Sequence, residues 1–89
     1  MTEKFIEKAK KVMRGLKRQE LEKQISLAIR DLEKTKDLEQ YYKEKNEKDP
    51  HLKYYDLEPY RVWKALIGQI EEKTKLIEIG KEILKEMEE

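Results

Sequence analysis

Apolar residues recur at helical spacing through almost the whole of this chain, and the rhythm fails once, between Asn46 and Asp56. On the C-terminal side, placing residues about 100° apart gathers Val62, Trp63, Leu66, Ile70, Ile77, Ile83 and Met87 on one broad side. Lys64, Glu71, Lys75, Glu78, Glu82 and Glu86 occupy the other. That apolar arc spans roughly 240°, whereas a helix packed on one partner needs only about 100° or somewhat more. The last helix is therefore expected to touch more than one neighbour. Asp56 is placed to cap it, and Pro59 suits its first turn, where no backbone N–H is required.

On the N-terminal side of the break the stripe is narrower. Leu21, Ile25, Ala28, Ile29, Leu32 and Thr35 follow steps of three and four, drifting onto Leu38 and Tyr42, as in antiparallel bundles. Further back, Phe5, Ala9, Val12 and Leu16 keep their own four-three-four spacing, and Leu21 then arrives five residues later, beside Gly15. Glycine is the weakest helix former short of proline. The spacing predicts helices over residues 2–14, 16–47 and 57–88, with a connector over 48–56, all in one domain of 1–89. The alternative is an unbroken first helix running through Gly15.

The expected fold is all-α: an antiparallel hairpin of two long helices with a shorter N-terminal helix. Folding the connector back pairs residues whose numbers sum to about 105. Trp63 then meets Tyr42, Ile70 meets Thr35, Ile77 meets Ala28 and Gly80 faces Ile25. Lys73 points from the middle of the apolar arc, opposite Asp31 or Leu32. Snorkelling outward along its stem is the expected course; a polar layer with Gln69 that fixes register is the other. A lone two-helix layer cannot cover the wide arc of the last helix, which leaves the first helix or a second copy to cover the rest, and a core this thin barely outweighs chain ordering. A homodimer forming a helical bundle is therefore expected.

Charge narrows the partners. Charged residues make up 46% of the chain, yet 21 cations face 20 anions, which disfavours bulk binding of a polyanion. The distribution is uneven: residues 1–24 carry eight cations and four anions, and residues 70–89 carry four and seven. On the first helix Lys10, Lys11, Arg14, Lys17 and Arg18 are the candidate phosphate-binding residues for nucleic acid. The same basic face could instead dock on an acidic helix, including the C-terminal one of another copy. Six of seven aromatic residues crowd the connector. Tyr42, Tyr60 and Trp63 align with the core stripes, which leaves Tyr41, Tyr54 and Tyr55 as candidate partner-binding rings, at least one of the adjacent Tyr54 and Tyr55 pointing away from the core.

Chemistry is harder to place. There is no cysteine, and His51 alone cannot assemble a usual structural zinc site. Ser26, the only serine, lies inside a helix, and Gly15, Gly68 and Gly80 are each isolated, so no phosphate-cradling loop is formed. No enzyme and no cofactor are expected. The uncharged runs Gln24–Ile29 and Ala65–Ile70 are far too short to span a bilayer, and the charged start lacks a secretion signal's apolar core. A cytoplasmic location is expected, with no membrane partner. Sixteen Glu and 17 Lys residues also suit ion-pair networks of a heat-adapted source. The functional expectation is a non-enzymatic helical interaction protein, a small adaptor or regulator with an unidentified protein partner. A nucleic-acid-binding accessory protein using the basic N-terminal helix is the alternative.

Overall fold

The computed structural model describes residues 2–88, and none of these lies in a strand. Four helices follow one another: α1 (Glu3–Arg14), α2 (Arg18–Lys48), α3 (His51–Tyr54) and α4 (Glu58–Glu88). Helix α1 starts one residue later than expected because Thr2 has extended backbone and caps it, its Oγ1 accepting from the Phe5 N–H at 3.2 Å. Glu3 in the first turn and Lys11 and Arg14 in the last complement the helix dipole. The chain stops being helical at Gly15–Lys17, so the unbroken alternative does not hold. Gly15 itself has right-handed backbone, φ −79°. The turn is made at Lys17, whose extended backbone (ψ 153°) precedes α2 with no capping bond from its side chain.

Helices α2 and α4, 31 residues each, form the antiparallel hairpin. Its register follows the connector. A Cβ added at Gly80 would lie 3.1 Å from Ile25 Cγ1, so the absent side chain lets the two backbones approach. At the other end Asn46 Nδ2 donates to the carbonyls of Tyr42 (2.7 Å) and Pro59 (3.1 Å), tying the two helices together. The Trp63 indole N–H donates to Glu39 at 3.0 Å, about one helical turn before Tyr42.

The connector differs from expectation in two ways. It contains a single helical turn, α3, which forms because Asp49 Oδ1 accepts from the His51 N–H (3.1 Å) and Pro50 already holds helical backbone. That turn directs Leu52 inward, where it is buried against the start of α4. Asp56 does not cap α4. It sits in the left-handed region at φ 52° and ends α3: its N–H bonds the Lys53 carbonyl, and the Leu57 N–H bonds that of Leu52. Leu57 takes the capping position instead, its carbonyl accepting from the Tyr60 and Arg61 N–H groups.

Helix α1 folds back onto the hairpin. Its start lies beside Lys75 and its end beside Glu86, so it runs parallel to α4 along that helix's C-terminal half. Leu21, 1% exposed, closes the junction with Ile79 and Ile83, and Ile6, Met13, Leu16 and Ile25 pack around them. The wide apolar arc of α4 is thus shared by two neighbours within the chain. Toward the connector only two helices remain, and the envelope is long and thin, 52 × 25 × 15 Å.

Candidate interaction surfaces

The basic N-terminal face meets the acidic end of its own chain. Arg14 Nε lies 3.6 Å from Glu86, and Arg18 lies 2.8 Å from Glu88 and 3.2 Å from Glu22. Lys10 is half-buried in a cleft between α1 and α4 that it shares with Glu3, Glu7, Glu78 and Glu82. Of the five candidate phosphate-binding residues, Lys11 and Lys17 remain exposed and make no ion pair with a described residue. Arg14 and Arg18 thus find acidic partners within their own chain.

At the connector end the rings divide as their positions in the stripes suggest. Tyr42, Tyr60 and Trp63 are half-buried, with Tyr60 and Trp63 tilted against each other at 6.3 Å and Lys64 Nζ 5.4 Å from the Tyr60 ring centroid. Tyr54 and Tyr55 are both exposed, because Leu52 alone of the short turn faces inward. The two rings meet edge-on at 4.8 Å, and Tyr55 stacks with His51 at 6.0 Å. Tyr54, 80% exposed, stands at the tip. Tyr41 is exposed on α2 and makes its ring contact with Tyr42, edge-on at 5.2 Å. His51 Nδ1 lies 3.3 Å from Asp49 Oδ1 on the open surface.

Between the two ends lies the one polar bridge through the hairpin that involves Lys73. Its Nζ is 2.8 Å from Asp31 Oδ2 and donates to Thr35 Oγ1 at 2.8 Å. The Thr35 hydroxyl is buried and donates in turn to the Asp31 carbonyl at 2.9 Å. Lys73 therefore turns across the interface instead of snorkelling outward, because Thr35 offers it an acceptor on the inner face. Gln69 is exposed and does not join the layer.

Among the described residues no group of three His, Cys, Asp or Glu side chains is placed to hold a metal ion, and no helix is long and apolar enough to cross a membrane. Comparison with protein-family models, curated proteins and solved structures gives no match to this chain.

Proposed function

We propose that this chain is a non-enzymatic helical interaction protein, a small cytoplasmic adaptor or regulator that acts through helix surfaces and associates with itself as a homodimer. One observation carries the reading. Among the described residues nine large apolar side chains are exposed, from Phe5 and Val12 on α1 through Leu27, Leu38 and Tyr41 on α2 to Ile67 on α4, against seven that are buried. Phe5 and Val12, seven residues apart on one edge of α1, lie on a common face, and such a face supports an interaction surface. The Tyr54–Tyr55–His51 cluster supplies a second, amphipathic surface of the kind enriched where proteins meet, since its rings give wide stiff contact at small entropy cost. The pairing of Arg14 and Arg18 with glutamates counts against the alternative, a nucleic-acid-binding accessory protein.

The test is affinity capture from the native host with the wild-type chain and with a Tyr54→Ala, Tyr55→Ala double variant. A protein retained by the first and lost by the second, with the melting temperature unchanged, is the expected result. Equal recovery by both would remove the tyrosines from the interface, and recovery of nucleic acid alone would favour the alternative.

A further inference from the structure

An open groove of the bundle carries an inference that rests on self-association and names the surface for it. Helix α4 packs against both α1 and α2, and side chains of all three helices meet around Leu21. Between α1 and α2 a groove stays open to solvent. It is an open apolar crevice of about 400 Å³, lined by Val12 on α1, Leu16 in the turn, Gln24 and Ala28 on α2 and Leu76 on α4. Phe5, seven residues before Val12, lies on the same edge of α1. Both are half exposed or more, at 50% and 61%.

We propose that a second copy of this chain fills the groove about a two-fold axis, so that the Phe5–Val12 edge of each α1 lies in the crevice of the other. Area selects the occupant. The chain exposes 7124 Å², where a compact monomer of the same mass exposes about 5,600 Å². The surplus of about 1,500 Å² per chain falls within the roughly 1,000–2,500 Å² that each subunit contributes to an obligate homodimer. Its radius of gyration, 16.5 Å, likewise exceeds the roughly 12 Å of a compact domain of this length. With 21 cations and 20 anions, two copies meet without net repulsion. A two-fold contact needs one self-complementary patch, and an apolar ridge beside an apolar crevice is such a patch.

Sedimentation equilibrium of the wild-type chain, Val12→Glu and Phe5→Glu tests this, with circular dichroism to follow helix content. The expected result is a wild-type species of twice the 10.9 kDa chain mass, and variants that keep their helices while dissociating at least about tenfold more readily. Tyr54→Ala with Tyr55→Ala leaves the dimer intact. Should the glutamate variants unfold, Val12→Cys in this cysteine-free chain supplies a second readout: a short bis-maleimide couples two copies through it and does not couple Tyr55→Cys. A wild-type dimer indifferent to both glutamates, or a folded dimer that Val12→Cys cannot join, overturns the groove as the contact and leaves self-association standing. A wild-type chain still monomeric at about 100 µM overturns both, since mass action favours assembly at that concentration.

Discussion

Replacing Leu21 by alanine is the sharpest test of how this chain holds together. Leu21 is 1% exposed, opens α2 just after the turn, and is the point where α1, α2 and α4 share one cluster. Truncating a fully buried leucine costs about 2.7–5.0 kcal/mol, the spread depending on how far the site collapses. The half-buried Ile6, Met13 and Leu16 around it are partly free to move inward, so a loss of about 3 kcal/mol is expected, low in that range. For 89 residues the whole stability is about 4–13 kcal/mol. One side chain thus carries a quarter of it or more. At roughly 4–8 °C per kcal/mol for a domain of this size, the melting temperature falls by about 12–24 °C. Leu38→Ala is the companion measurement: that side chain is 48% exposed on the two-helix half, and its loss costs less than about 1 kcal/mol. Both are read by urea denaturation followed at 222 nm, at one fixed protomer concentration, because dimerisation adds to apparent stability. A Leu21→Ala loss below about 1.5 kcal/mol, or one no larger than that of Leu38→Ala, refutes a core centred on the three-helix junction.

Other changes follow from particular residues. Lys17 holds the capping position of α2 without a capping bond, so Lys17→Asp raises stability by about 0.5–1 kcal/mol, read as a higher urea midpoint with an unchanged slope. Lys73→Met shifts stability by less than about 1 kcal/mol, because the partner carboxylate of Asp31 is largely solvated and the methionine adds apolar burial; a loss above about 2 kcal/mol would mean that the bridge holds the hairpin. Asp56→Val costs about 1–2 kcal/mol, since a β-branched residue resists the left-handed backbone at φ 52°, whereas Asp56→Gly does not lower the melting temperature. At about 50 mM salt, micromolar chain retains no labelled oligonucleotide on a filter, and retention with a log–log salt slope steeper than about −2 would hand the basic face to nucleic acid.

The parts of this fold that could be read in advance are those governed by a period or a length. Once two helices of equal length are joined by a short connector, their register has one free parameter, and that is why Gly80 faces Ile25 and Lys73 meets Asp31. The same reasoning separated Tyr42, Tyr60 and Trp63 from Tyr41, Tyr54 and Tyr55, since adjacent rings on a helix cannot both face the core. Single residues escaped. Leu52 is one apolar side chain among polar neighbours and sets up no period, although it anchors the connector. Asp56 was ambiguous in kind, because aspartate is favoured both at a helix start, where its oxygen accepts, and in left-handed turns; only the backbone bonds of Leu57 decide between them. The direction of α1 lay beyond any pattern on α1 itself. The break at Lys17 allows the helix to continue outward or to return, and the choice is made by the cluster of Leu21, Ile79 and Ile83 on which Ile6 and Met13 pack. An arc of roughly 240° on one helix announces a second neighbour without naming it. Having taken α1 along half its length, that arc still borders an open crevice at Leu76 and Ile77, and the groove between α1 and α2 is where a further neighbour would meet it.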